Sequence, residues 1–233
     1  MAAQRARRRS RVIPHRGPPR PACPRDRRLM RCGVWRVQDN VVPGTEWGAL
    51  KPTTKWGQMP VLRLPDGTEM TQSKALCRYL ARTSKTPEGK ALYPDDPLTA
   101  FQIDELWEAL EDVRNKLVPT FSIADQAEKE AARAALFAEG GAIFEGLKQV
   151  ETLVSATDGY LVGGKLTLAD IELFIVVNQM RAGFLDGCPK TGWLEKLPKL
   201  EKVVATVTAT PAVKAYYAGK AASNKVFAAH AGE

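Results

Sequence analysis

The spacing of apolar positions changes character along the chain. Between about residues 38 and 71 it is short and strand-like. Val41-Val42 predicts a brief strand that Pro43-Gly44 ends, and Thr45-Glu46-Trp47 opens a loop or short helix. Val61-Leu62-Arg63-Leu64 predicts a better strand. Pro65-Asp66-Gly67 then signals a turn, and Thr68-Glu69-Met70 completes a hairpin. Beyond residue 72 the period becomes helical. A helix is predicted over 72–82, with Leu76, Tyr79, Leu80 and Thr83 on one face. A Lys-, Pro-, Gly- and Asp-rich linker ends in Asp95-Asp96-Pro97, an N-cap followed by proline at the first helical position. Leu98, Phe101, Leu106, Leu110, Val113 and Leu117 fit the inward face of one long helix. A second long helix is predicted over 126–155, with Leu136, Ile143, Leu147, Val150 and Val154 inward. A third begins at Thr167. Its residues 171–177 are apolar nearly all round, the pattern of a buried central helix. Two more helices are predicted over 193–208 and 211–218.

The chain has 233 residues, 44% of them hydrophobic, enough for one large domain or two small ones. No apolar run approaches the roughly 18 to 20 residues of a membrane-crossing helix. The net charge of +8 first suggests a nucleic-acid binder. Its distribution changes that view. Ten of the first 28 residues are Arg and only Asp26 is acidic, so this segment carries +9 and the remainder −1. A basic tail on a near-neutral body is not a basic binding face. Five prolines between Pro14 and Pro24 forbid a continuous helix there. The segment reads as a disordered basic tail; an organellar transit peptide and an RNA-binding arm are the alternatives.

Side-chain chemistry narrows the function classes. The only histidines are His15 and His230, so residues 16–229 contain no imidazole. That disfavours a Ser-His-Asp hydrolase, a Cys-His protease and a His-ligated metal site in the folded body. Cys23, Cys32, Cys77 and Cys188 form no C-x-x-C pair and fit no zinc spacing. They read as reduced, intracellular thiols. Thr167-Leu-Ala-Asp170 is a capping box with Asp in place of Glu: the Thr167 hydroxyl can accept from the Asp170 amide, and the Asp170 carboxylate from the Thr167 amide. Asp170 is therefore read as a folding residue and not as a catalytic acid.

Two stretches resemble the cytosolic glutathione transferases. One is Trp47-Gly-Ala-Leu-Lys-Pro-Thr-Thr-Lys-Trp-Gly-Gln-Met-Pro-Val-Leu, with Asp66-Gly and Thr71-Gln-Ser-Lys-Ala-Leu-Cys-Arg-Tyr-Leu-Ala after it. The other is Tyr160-Leu-Val-Gly-Gly-Lys-Leu-Thr-Leu-Ala-Asp-Ile. The resemblance covers about residues 38–220 and looks closest to the mu, pi, alpha and sigma group, which uses a tyrosine to activate the thiol. It implies an α/β thioredoxin-like N-terminal domain with an incomplete first strand, joined to an all-α C-terminal domain. The expected partition is a basic segment 1–28, a glutathione-binding domain 29–84, a linker 85–96, a helical domain 97–220 and a tail 221–233.

The resemblance also implies a glutathione site. A cis Met59-Pro60 bond frees the Met59 amide and carbonyl to pair with a peptide backbone, a short case of strand addition. Gln58 precedes it. Ser73, at a helix start, is placed for the γ-glutamyl carboxylate, with Gln72 on the same end. Lys51 and Trp47 match positions that cover the glycine end. Asp104 matches an acidic residue that reaches the amine of the glutathione held by the partner subunit. Each position also has a plain reading: an N-cap for Ser73, solvated side chains for Lys51 and Gln72, an exposed helix face for Asp104.

The N-terminus departs from the family pattern. The family's first strand ends near the catalytic tyrosine, whose hydroxyl stabilises the glutathione thiolate. Here the first tyrosine is Tyr79, and the expected position falls near His15 or Arg16. Val12-Ile13 is a candidate remnant strand that Pro14 interrupts, and residues 27–32 are a candidate end of the first helix. Ser10, His15, Arg16 and Cys23 are the candidate stand-ins for the hydroxyl. The expected function is conjugation of glutathione, as co-substrate, to small hydrophobic electrophiles, by a cytoplasmic homodimer with no metal and no membrane. The electrophile is expected in a cleft between the domains, lined partly by the helix around Trp107. The rival readings are a glutathione-binding module of little activity, and an RNA-associated protein acting through its arginine arm.

Overall fold

The computed structural model describes residues 10–11, 29–32, 35–38, 40–86, 89–154, 158–183 and 185–221. The chain divides into two units, Met1–Ala91 and Leu92–Glu233.

The first unit is built on a five-stranded sheet. Its strands are β1 (Ser10–Arg11), β2 (Leu29–Cys32), β3 (Trp35–Gln38), β4 (Val61–Arg63) and β5 (Glu69–Thr71), in the spatial order β2-β3-β1-β4-β5. β1 is central: it pairs parallel with β3 (Ser10 opposite Val37) and antiparallel with β4 (Arg11 opposite Arg63). β4 and β5 form the predicted hairpin. The Asp66 carboxylate accepts from the Thr68 amide in the turn, and Arg63 pairs with Glu69 directly across the ladder. Between the two strand groups lies α1 (Gly44–Leu50), which runs into a 3₁₀ turn (Lys51–Thr53). α2 (Ser73–Thr83) follows β5, with Leu76 and Ala81 buried.

Two strand assignments differ from the sequence expectation. Val41-Val42 is not a strand: Val41 is exposed, and Pro43 is already the N-cap of α1. The ladder falls a few residues earlier, at Trp35–Gln38. Leu29–Cys32, read above as the end of a helix, is an edge strand antiparallel to β3. Cys32 opposite Trp35 leaves two residues between the strands, the spacing hairpins favour, and this pairing outweighs the helical tendency of Leu29-Met30-Arg31. Val12, Ile13, His15, Arg16 and Cys23 lie outside the described residues.

The second unit is helical: α3 (Pro97–Asn115), α4 (Gln126–Phe137), α5 (Ala142–Leu153), α6 (Leu168–Arg181), α7 (Pro198–Ala209) and α8 (Pro211–Ala221). Asp96 caps α3 by accepting from the Thr99 amide at 2.8 Å, and Pro97 occupies the first turn. Ile103, Leu110, Ile143, Leu147, Leu173 and Val203 are completely buried and form the centre of this unit. α6 is the predicted core helix and packs against α3 and α7. Two expectations are corrected. Leu98 and Phe101 are exposed, so the buried stripe of α3 starts only at Ile103. The helix predicted over 126–155 is two helices. Gly140 has φ +81°, and a β-carbon on Gly141 would lie 2.3 Å from the Ala135 carbonyl oxygen, so the chain turns sharply at this glycine pair. α3 and α5 touch closely at Gly146, where a β-carbon would meet Val113 Cγ2 at 2.7 Å. Among the described residues no helix is long and apolar enough to cross a membrane.

Candidate functional site

The loop between α1 and β4 and the β5–α2 junction present the peptide-binding candidates. Trp47, half-buried, lies in α1, and its carbonyl accepts the Lys51 amide one turn later. Lys51 is exposed and starts the 3₁₀ turn. Its side chain runs along Gly57: a β-carbon there would sit 3.5 Å from Lys51 Cε. Gly57 has φ +63° and its amide donates to the Thr54 carbonyl, which turns the chain toward Gln58. Gln58, Met59 and Pro60 are exposed, and the Met59-Pro60 bond is cis. Met59 stands immediately before the β4 ladder, which begins at Val61.

The other wall is the start of α2. Gln72 donates through Nε2 to Gln58 Oε1 at 3.4 Å, closing the two segments onto each other. Gln72 has φ +70°, the one non-glycine residue among those described with a positive φ. For a residue with a β-carbon this backbone costs roughly 1–2 kcal/mol, and such outliers concentrate at binding sites. Gln72 places no side-chain oxygen on the helix amides, and the first main-chain bond of α2 runs from the Leu76 amide to the Gln72 carbonyl. The Ser73, Lys74 and Ala75 amides therefore precede the first helical hydrogen bond, and the helix dipole adds its positive end. Ser73 is exposed beside them. This corner can hold a carboxylate, while the cis segment offers main-chain groups to an extended peptide.

Asp104 belongs to the second unit, on α3. It is half-buried and accepts from the Tyr93 hydroxyl at 2.9 Å. Tyr93 was not singled out from sequence, although it lies three residues before Asp96, the cap of α3. The second unit also contains a cavity of about 250 Å³ with Leu117, Val118, Phe121, Val176 and Met180 among its apolar lining. Glu111 and Arg114 pair with each other at its wall. Glu111, Arg114, Asn115 and Val118 recur at helical spacing on a second face of the α3 region, a signal masked by the stronger core stripe. Trp107 is buried in the core. Among the described residues no cluster of three or more His, Cys, Asp or Glu could hold a metal ion.

Thr167 and Asp170 form the capping box at the start of α6. Both are completely buried. Asp170 Oδ2 accepts from the Thr167 amide (2.7 Å) and hydroxyl (2.9 Å), and Oδ1 accepts from the Leu161 amide (2.9 Å). Burial pushes the Asp170 carboxyl above its ordinary value, and the Leu161 and Thr167 donors oppose that shift. The cross-bond to Leu161 ties the preceding loop onto the helix start.

A family model described as the C-terminal domain of glutathione S-transferase matches residues 111–220. The chain is 33% identical over 190 residues to glutathione S-transferase S1 of Drosophila melanogaster, covering 82% of this chain and 71% of that one. It is 32% identical over 190 residues to a glutathione S-transferase of Anopheles gambiae, covering 82% and 87%. The chain belongs to the glutathione transferases. Among solved structures, prostaglandin synthase D of Nilaparvata lugens superposes with a TM-score of 0.62 at 25% identity, covering 77% of this chain and 83% of that one. A glutathione transferase is thus an enzyme whose N-terminal unit is the thioredoxin-like sheet and whose C-terminal unit is the helical domain described above.

Proposed function

We propose that this glutathione transferase grips glutathione with the α1–β4 loop and the start of α2, and adds its thiolate to small hydrophobic electrophiles. The observation that carries the reading is the closure of Gln58 onto Gln72 beside the cis Met59-Pro60 bond. In this reading the Met59 main chain pairs with the cysteinyl segment. Ser73, the first-turn amides and Gln72 take the γ-glutamyl carboxylate, and Lys51 and Trp47 cover the glycine end. Asp104 takes the amine of glutathione bound to the partner subunit of a homodimer. For the electrophile, the helical unit offers an apolar cavity beside Arg114 that Trp107 does not line. We place the protein in the cytoplasm, with domains at 29–84 and 97–220. Nucleic acid is not expected as a partner except through the basic N-terminal segment.

The second reading, a glutathione-binding module of little activity, is favoured by one observation. No tyrosine precedes Tyr79 in the sequence. Loss of the activating hydroxyl would lower the rate on the order of 10²-fold, by analogy with the loss of one oxyanion donor. The test is the rate of glutathione conjugation to a reactive aryl halide against the no-enzyme rate, between about pH 6 and pH 9, alongside glutathione affinity. A clear excess near pH 6.5 supports the enzyme, with a thiol pKa lowered by a residue other than tyrosine. Glutathione binding with no excess supports the module. Failure to bind glutathione removes both.

A further inference from the structure

The C-terminal half of α3 carries two faces. Leu106, Leu110 and Val113 are buried in the core, while Glu111 and Arg114 line the cavity of about 250 Å³. An apolar cavity of about 150 Å³ holds a benzene ring, so this one has room for a bicyclic ring. Among the described residues, Glu111 and Arg114 are the only charged side chains of the lining, and the Arg114 guanidinium donates to Glu111 Oε2. The Glu111 side chain is 22% exposed and that of Arg114 38%, so the pair sits where water only partly screens it. A second guanidinium stands behind the wall. Arg133 is 4% exposed and lies 5.1 Å from the centre of the Phe121 ring, which lines the cavity. Arg133 donates to the Thr120 hydroxyl at 3.1 Å and to the Asp186 carbonyl at 2.9 Å, so neither hydrogen bond neutralises it. The Asp186 carboxylate accepts from Gln126 instead.

We infer that Glu111 is a specificity-determining residue for the electrophile: by pairing with Arg114 it cancels the positive charge of the cavity wall and favours neutral ligands over carboxylates. This rests on the reading of the cavity given under the proposed function. Glu111 is the one acid of the lining, set against Arg114 on the wall and Arg133 behind Phe121. Without its carboxylate, Arg114 would present a free guanidinium fork at the edge of an apolar pocket, the arrangement that receives an amphipathic acid. With it, an incoming carboxylate must displace Glu111 or lie beside it, and like charges in a partly desolvated wall repel. A neutral ligand leaves the pair intact. Its nitro or carbonyl oxygens find uncharged donors in the Asn115 and Gln179 amides of the same lining. The substrate class is therefore an uncharged aromatic electrophile and not one that carries a carboxylate.

The experiment uses two ligands of one shape, 1-nitronaphthalene and 1-naphthoate, whose planar nitro and carboxylate groups differ by a single charge. The full-length protein is labelled at its methionine ε-methyl groups. Met180 is the one methionine of the helical unit and lines the cavity, so its NMR signal, assigned with Met180→Leu, reports binding there without turnover. The wild type is expected to bind 1-nitronaphthalene at least about 10-fold more tightly than 1-naphthoate. Glu111→Gln should strengthen 1-naphthoate binding by about 10-fold, the scale of one unit charge across a partly screened wall, and leave 1-nitronaphthalene within about 2-fold. Adding Arg114→Gln to Glu111→Gln should remove most of that gain. A partly exposed ion pair contributes little to stability, so these variants fold. A wild type in which Met180 does not respond to 1-nitronaphthalene overturns the reading of the cavity and the proposal together. A Met180 response whose ligand ratio is unchanged in Glu111→Gln overturns the proposal alone, as does a wild type that prefers 1-naphthoate. A gain that persists in full in the double variant also overturns it, because Arg114 is then not the charge that Glu111 cancels.

Discussion

Replacing Asp170 by alanine tests whether the capping box at the start of α6 is a folding device. The carboxylate receives two main-chain N–H groups, from Leu161 and Thr167, and one hydroxyl, all where the side chain is completely buried. Alanine leaves both amides without their acceptor. Each buried unsatisfied donor costs about 1–3 kcal/mol, and loss of an N-terminal cap costs about 1 kcal/mol. Against this, removing the carboxylate recovers part of its desolvation cost, the cause of its raised pKa. The net loss is about 3 to 5 kcal/mol, which lowers the melting temperature by about 10 °C at 2–4 °C per kcal/mol. Asparagine supplies one carbonyl oxygen but points its NH₂ at the second donor, so about half the loss should remain. The assay is thermal unfolding followed by far-ultraviolet circular dichroism, with glutathione affinity measured well below the transition. Affinity should be unchanged. A shift under about 3 °C for Asp170→Ala, or equal shifts for alanine and asparagine, refutes the argument.

Other perturbations separate binding from folding. Gln72→Gly should leave the melting temperature equal or slightly higher, because glycine accepts φ +70° freely, yet weaken glutathione binding by removing the amide paired to Gln58; calorimetry and a melt on one sample check both. Gly146→Ala should cost about 1–3 kcal/mol through the contact with Val113 Cγ2, and Val113→Ala in the same chain should return part of it, as urea titrations of the three variants would show. The Thr99 hydroxyl and amide hold the Asp96 carboxyl below its ordinary value. Its contribution is therefore complete above the unfolded-state value and is lost as pH falls through the lowered folded-state value. The melting deficit of Asp96→Ala should accordingly shrink on acidification below about pH 4, in melts run across a pH series.

The helical unit was legible because its signals are local and redundant. Thr167 and Asp170 announce the start of α6, Asp96-Pro97 that of α3, and the apolar residues 171–177 require burial wherever they fall. The helix break at Gly140-Gly141 was not legible, because the periodic apolar residues on both sides of it continue one helical pattern across it. The hairpin Val61–Arg63 with Glu69–Thr71 was legible from its turn. The edge strand Leu29–Cys32 was not, because its partner Trp35–Gln38 is what makes it a strand, and pairing between strands leaves little trace in either sequence alone. The site followed the same division. Gln58, Met59, Pro60, Gln72 and Ser73 are close in sequence and carry the family motif. Tyr93 meets Asp104 eleven residues away, on another element, and no periodicity connects them.

In the proposed site, glutathione binding and thiol activation would fall on separate parts of this chain, and that separation makes a testable prediction. Every candidate for the peptide grip in the first unit lies between Trp47 and Ser73, in elements held by their own hydrogen bonds: the Lys51 amide to Trp47, Gly57 to Thr54, Gln72 to Gln58. The family's activating hydroxyl belongs at the end of the first strand, where this chain has Ser10–Arg11 in the centre of the sheet. The grip needs β4 in register but no side chain from β1, so affinity for glutathione should survive substitutions in β1 that change the rate. Ser10→Ala and Arg11→Ala are the direct comparison. If the β1 backbone only completes the sheet, both leave affinity and the pH dependence of conjugation unchanged. If conjugation below about pH 7 falls in Ser10→Ala alone, with affinity intact, the Ser10 hydroxyl supplies the donor that tyrosine provides elsewhere in the family.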